Sequence, residues 1–225
     1  LREKGLNSRD ISPYIPMILA SPCPVIVTDS QKQAEALERI LNILGIDGIR
    51  VDGKTVADKN HPAKAFLEDS DNWIKANNPG FIILSPTAQS GIDINIRDYF
   101  SDVFALFFGV LGTDSQMQMP GRIRDPKVKW HIACPEYTKN KGENFSSPVP
   151  KEITQAWEMY YTQDMATICK EMPEFFKLLQ GVILEGLNNP DHDMLAILKA
   201  KENYEKANLR ECLIEELQKA GHEIK

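Results

Sequence analysis

Gln118-Met119-Pro120-Gly121-Arg122-Ile123-Arg124-Asp125 is the stretch of this chain best equipped for chemistry. A guanidinium is planar, stays charged and can bond two oxygens at once, which suits phosphate. Gly121 lets backbone approach a neighbour or ligand closely. The stretch follows a very apolar run, Val103 to Phe108, that reads as a buried strand. An arrangement that ends a buried strand and then presents Gln, Gly, Arg and Arg is suited to meeting phosphate. By itself it is equally compatible with a solvated helix start carrying surface arginines.

A second constellation lies upstream, between Ser85 and Ile94. Thr87 falls just past an apolar run, and Gly91-Ile92-Asp93 follows. This offers a hydroxyl, a free backbone amide and a carboxylate within one loop. An ordinary strand-to-helix loop capped by Asp93 would look the same. The pairing of this loop with the arginine stretch after the next strand is what favours a site.

The elements that must position these groups follow from periodicity. Short β-branched or apolar runs mark strands at 25–27, 48–52, 81–84, 103–108 and 128–133. Thr28-Asp29-Ser30 would cap a helix in which Ala34, Leu37, Leu41 and Leu44 recur on one face, ended by Gly45. Gly53-Lys54-Thr55 reads as a loop. A helix from about Pro62 would bury Ala65, Phe66, Trp73 and Ile74, and Asn77-Asn78-Pro79-Gly80 would stop it. Asp114 or Ser115 would cap a helix carrying the arginine stretch. Strands that are continuous apolar runs, alternating with helices, predict a parallel α/β sheet covered on both faces. Ligands of such sheets sit beyond the strands' carboxyl ends.

Four segments are expected. Residues 1–21 read as a linker or arm, 22–138 as the α/β domain, 139–150 as a polar linker and 151–225 as an all-helical extension. The extension carries nine Lys and Arg against fourteen Asp and Glu. Its acidity argues against DNA binding by the extension and for packing on another part of a parent protein. The chain begins at Leu1 and reads as a piece of something longer. Its net charge of −6 excludes a broadly basic nucleic-acid glue, so any such contact must be local and backbone-mediated. Cys23, Cys134, Cys169 and Cys212 show no metal-ligand spacing and read as thiols in a reducing, cytoplasmic setting. No apolar run approaches the length of a membrane span. The histidines, His61, His131, His192 and His222, are isolated and predict no metal site.

Gly48-Ile49-Arg50-Val51-Asp52-Gly53-Lys54-Thr55 matches the spacing of a phosphate-binding loop literally. Such a loop needs a strand before its first glycine and a helix opening at Lys-Thr. Here a helix precedes Gly48 and the middle residues read as a strand, so their amides would be tied up in a sheet. No acidic pair follows a suitable strand either.

Thr87 to Asp93 followed by Gln118 to Arg124 resembles motifs V and VI of superfamily 2 helicases. Val25 to Ser30 is similar to the strand and turn of motif IV. The likeness covers about residues 22–138 and implies the second of two RecA-like domains, with five or more parallel strands. The form Gln-Met-Pro-Gly-Arg-Ile-Arg-Asp most resembles origin-binding and plasmid replication helicases. The wider superfamily has Gly-Arg-x-x-Arg, whereas Arg124 sits only two positions after Arg122.

The resemblance implies that ATP with Mg2+ binds in a cleft against an N-terminal RecA-like domain, which supplies the Walker motifs and metal ligands. Arg122 or Arg124 would act as an arginine finger, and Gln118 would orient it or the attacking water. Gly91, Asp93 and Gly121 would meet the nucleotide. Thr28, Ser30 and Thr87 would contact the backbone of one DNA strand. This segment alone would not hydrolyse ATP. A Rossmann-like transferase using Arg122 and Asp93 on a diphosphate, and a non-catalytic adaptor on a degenerate helicase domain, are the competing readings.

Overall fold

The computed structural model describes residues 10–86, 92–138 and 145–224. The chain divides into two compact units, Leu1–Tyr137 with Leu209–Lys225, and Thr138–Asn208.

The first unit is built on five parallel strands: β1 (Val25–Thr28), β2 (Ile49–Val51), β3 (Ile82–Leu84), β4 (Asp102–Leu106) and β5 (Lys129–Ala133). Their order is β2-β3-β1-β4-β5. This is the expected parallel α/β sheet with helices on both faces and further helices after it. The central strands are apolar throughout because neither face meets water: Val25, Ile26 and Val27 are all fully buried.

Alternate residues serve opposite faces. Val25, Val27, Ile82, Leu84, Val103 and Ala105 pack against α4 (Ala63–Glu68), α5 (Ser70–Asn77) and α10 (Leu209–Lys219). Ile26, Ile83, Phe104 and Leu106 pack against α1 (Ile15–Ala20) and α2 (Gln31–Ile43). In α2 the predicted stripe holds at Ala34, Leu37 and Leu41, but Leu44 is the C-cap and lies exposed.

Three local expectations are corrected. Gly53 to Thr55 is not a loop but opens the short helix α3 (Gly53–Ala57), because the Asp52 carboxylate accepts the Lys54 and Thr55 N–H groups. The helix expected from Pro62 is two helices, broken at Asp69, whose side chain caps α5 by accepting from the Asn72 N–H. Phe66 and Ile74 are buried as expected and Trp73 is half-buried, meeting Phe66 edge-on at 5.5 Å, but Ala65 is exposed. The helix before the arginine stretch, α6 (Thr113–Gln118), ends ahead of the arginines, with Gly112 rather than Asp114 or Ser115 at its N-cap. Pro120 lacks the N–H needed to extend α6 and instead starts a 3₁₀ turn, Pro120–Arg122.

The first unit also takes up sequence from both ends. Ile18 of α1 is buried under the sheet. In α10, Leu209, Leu213 and Leu217 are buried in the core, and Arg210 Nε donates to the Cys134 carbonyl at 2.9 Å. The second unit comprises α7 (Pro150–Ile168), α8 (Pro173–Leu187) and α9 (Pro190–Ala207), each opened by proline, the residue best tolerated in a first helical turn. Its small core joins Ile153, Ala196 and Ala200 to Phe145 and Trp157. Asn203 Nδ2 donates to the carbonyls of Phe145 and Ser147, both at 2.8 Å. Cys23, Cys134 and Cys169 are buried and Cys212 is half-buried. Burial pushes the Cys23 thiol up to about 11 and the Cys134 thiol up to about 12. No helix among the described residues is long and apolar enough to cross a membrane.

Candidate nucleotide and nucleic-acid site

The two segments singled out by their chemistry meet in space. Ile94 and Ile123 form an isolated parallel bridge, with the Ile94 N–H on the Arg122 carbonyl and the Arg124 N–H on the Ile94 carbonyl, both at 2.9 Å. Both isoleucines are buried, so the bridge is anchored in the core and its polar neighbours point outward. Across it, Arg124 Nε and Nη2 donate to Asp93 Oδ1 at 3.1 and 2.8 Å. Neither side chain is deeply placed, at 54% and 50% exposure.

The surroundings hold this pair in place. Ser70 Oγ, at the start of α5, donates to the Asp93 carbonyl at 3.3 Å, and the Asn95 N–H donates to Asp71 Oδ1 at 2.9 Å. On the other segment, Asp125 is buried and accepts the N–H groups of Asp98 at 2.6 Å and Lys127 at 3.0 Å. These two bonds, that of Lys127 first, hold the Asp125 carboxyl below the usual carboxylate range. Asp98 adopts a left-handed backbone, φ 57°, and the Asp125 bond fixes that turn.

Gln118 is exposed on the last residue of α6. Arg122 is half-buried, with its Nε enclosed by protein. Among the described residues a Cβ added at Gly121 would meet nothing within 4 Å, and its backbone is not left-handed. The fold therefore places no demand for glycine there; open space beside the arginine turn is what the residue provides. Guanidiniums, an exposed carboxamide and a glycine with free space beside it fit a phosphate ester. Among the described residues, no group of three or more His, Cys, Asp and Glu side chains could hold a metal ion.

The structure thus brings Asp93, Gly121, Arg122 and Arg124 together, with Gln118 just ahead of them in the chain. Thr28 and Ser30 bond within their own turn at the end of β1. Thr28 is fully buried, its hydroxyl accepting the Ser30 N–H at 3.2 Å, and Ser30 Oγ caps α2 by accepting the Gln33 N–H at 3.4 Å. Thr87 and Gly91 lie outside the described residues.

Asp29, which the sequence places only in a helix cap, has a different task. It is buried at the end of β1, and its carboxylate accepts the N–H groups of Phe108, Val110 and Leu111 at 2.7, 2.8 and 3.3 Å. It thereby fixes the loop that carries the chain from β4 into α6 and on to the arginines. An acid directly after a β-branched run was the available signal; its partners 79 to 82 residues away were not.

The literal phosphate-loop match is accounted for. Its middle residues form β2, its Lys54 and Thr55 amides are taken by Asp52, and Lys54 Nζ pairs with Glu35 at 2.7 Å. Gly48 is required by packing, since a Cβ there would lie 2.4 Å from the Phe81 carbonyl oxygen.

No family model matches the chain. An uncharacterized protein of Picosynechococcus is 27% identical over 90 residues, which is 40% of this chain and 9% of that protein. Among solved structures, the helicase domain of Hef from Pyrococcus furiosus aligns over 53% of this chain and 22% of that chain, with 18% identity and a TM-score of 0.33. The chain spans less than a quarter of either.

Proposed function

We propose that this chain is the C-terminal RecA-like lobe of an ATP-dependent DNA helicase or translocase, of the replicative kind its arginine motif resembles, followed by helices. The observation that carries the reading is the Ile94–Ile123 bridge with Asp93 on Arg124, which makes one polar surface from two motifs that lie about thirty residues apart. In this reading an N-terminal RecA-like lobe outside this chain holds ATP and Mg2+. When bound there, the triphosphate supplies the bond whose cleavage drives movement.

The residues of this lobe act by position and charge. Arg122 or Arg124 supplies the cationic prong that meets charge developing on the transferring phosphoryl group. Asp93 holds Arg124 by two hydrogen bonds, so the guanidinium is oriented before any phosphate arrives. Gly121 leaves room for the phosphate to come close. Gln118 orients the finger or the attacking water. With Thr28 buried, Ser30 and Thr87 are the hydroxyls left to face one DNA strand, which they would hold through its phosphates and without sequence preference.

Arg122→Ala and Arg124→Ala, each made in the full-length protein, test this. At least one should lower ATP turnover by roughly 10³-fold while ATP binding is nearly unchanged. Wild-type turnover in both variants would overturn the reading, and absence of turnover in the unmodified full-length protein would point to a non-catalytic adaptor. The isolated chain should neither hydrolyse ATP nor unwind DNA.

A further inference from the structure

Beside the arginine turn, on the face of edge strand β5 that α10 covers, lies a cavity of about 280 Å³. Its apolar wall comes from Ile123, Val128, Trp130, Ile132 and Leu217. Val128, Trp130 and Ile132 are alternate residues and so share one face of the strand. Arg124, Asp125, Pro126, His222, Glu223 and Ile224 also line it, so one guanidinium and two carboxylates stand at its rim. The exposed His222 imidazole sits on the half-buried Trp130 indole, with ring centroids 4.6 Å apart and planes 32° from parallel. His222 is brought there by the end of α10: Gly221 is left-handed at φ 88°, and the His222 N–H returns to the Leu217 carbonyl at 3.0 Å.

Three properties define what would enter. The indole face already accommodates a flat heteroaromatic ring, as the imidazole demonstrates. The volume lies at the small end of ligand pockets, enough for one ring system. The guanidinium of Arg124 is half-exposed, so an anion attached to that ring would find a cation outside the apolar wall. A planar, hydrogen-bonding ring carrying a phosphate is a nucleobase with its backbone.

We propose that this cavity is a nucleobase site, in which one base stacks on Trp130 in the place His222 now holds, its phosphate remaining outside at Arg124. Stacking on an aromatic side chain is tolerant of base identity, as a lobe tracking a strand would need. The proposal goes beyond the helicase reading and does not require it, since binding at Trp130 needs neither ATP turnover nor a second lobe. The same base could come from a DNA strand or from a free nucleotide.

The test is binding to this chain, read by anisotropy of a labelled single-stranded oligodeoxynucleotide, and by calorimetry with AMP. Trp130→Ala should weaken binding roughly five- to hundredfold and Trp130→Phe should largely restore it. His222→Ala should bind more tightly than the wild type, because a competing ring is removed; a merely structural role for His222 would not give that sign. Trp130-dependent binding of the oligonucleotide assigns the base to a strand, and Trp130-dependent binding of AMP alone assigns it to a free nucleotide. Photo-cross-linking of a 5-iodouracil oligonucleotide to the unmodified chain needs no variant, and should map to Trp130 or its neighbours in the cavity. Wild-type affinity of a folded Trp130→Ala variant for both ligands, or adducts only outside the cavity, would overturn the proposal.

Discussion

Arg124 donates from both Nε and Nη2 to a single oxygen of Asp93, leaving Asp93 Oδ2 and Arg124 Nη1 outside that contact. Each side chain is about half exposed, and ion pairs in such positions contribute roughly 0–1 kcal/mol. The pair matters for direction more than for stability. Arg124→Ala and Asp93→Ala should each shift the unfolding free energy of this chain by under about 1 kcal/mol. Where Arg124 is the finger, both should depress ATP turnover in the full-length protein, and the double variant should be little worse than the worse single one, because the two side chains act as a unit. Denaturant titration and steady-state ATPase assays read the two effects separately.

Gly121 gives a cleaner separation of fold from function. A methyl group there meets nothing within 4 Å among the described residues and requires no backbone change. Gly121→Ala should therefore leave stability within about 0.5 kcal/mol of wild type. If phosphate uses that space, the same change should lower ATP turnover in the full-length protein about tenfold or more. Unchanged turnover would mean the space is not used.

Asp29 should behave in the opposite way. Removing its buried carboxylate takes the acceptor from three N–H groups of a half-buried loop. Asp29→Ala should cost about 3 kcal/mol, with Asp29→Asn intermediate because the amide keeps one acceptor oxygen. Urea unfolding of the isolated chain measures both.

Acid should loosen the sheet's margin at defined points. Burial raises the Asp102 carboxyl, but hydrogen bonds from His131, Ser101 and Ser21 outweigh that and hold it below its ordinary value. The Asp125 carboxyl is held low as well, by the N–H groups of Lys127 and Asp98. A group whose folded pKa lies below its unfolded value of about 3.9 contributes fully above that value, and its contribution is lost as pH falls through the folded pKa. Stability should thus decline below about pH 4, and the decline should be shallower in Asp102→Asn and Asp125→Asn. Thermal midpoints measured down the acid range give the slopes.

Much of the sheet was legible because a strand buried on both faces has no choice but to be apolar. Ile82-Ile83-Leu84 and Val103 to Leu106 show this plainly. The candidate site was legible as residue types, but the side-chain pairing of Asp93 with Arg124 was not, since it depends on a bridge between segments that no local pattern encodes. Other features escaped for physical reasons that differ. Asp29 has long-range partners. The α3 start turns on one Asp side chain reaching forward to two amides. The end of α6 was readable in principle, because Pro120 forbids continuation. The motif resemblance puts Thr28 at a DNA strand, yet β-branched residues at sheet ends are as readily absorbed into the core, and this last residue of β1 is.

Because α10 belongs with the sheet, the three helices before it are a guest spliced into a host. The host's broken ends remain near neighbours: the Arg210 N–H reaches the Glu136 carbonyl at 3.4 Å and its guanidinium reaches Cys134. Excising the guest and rejoining Tyr137 to Leu209 through a short flexible tether should leave the host intact. A stop codon after Asn208 would keep the guest yet strip Leu209, Leu213 and Leu217 from the sheet, so the shorter deletion is the more damaging one.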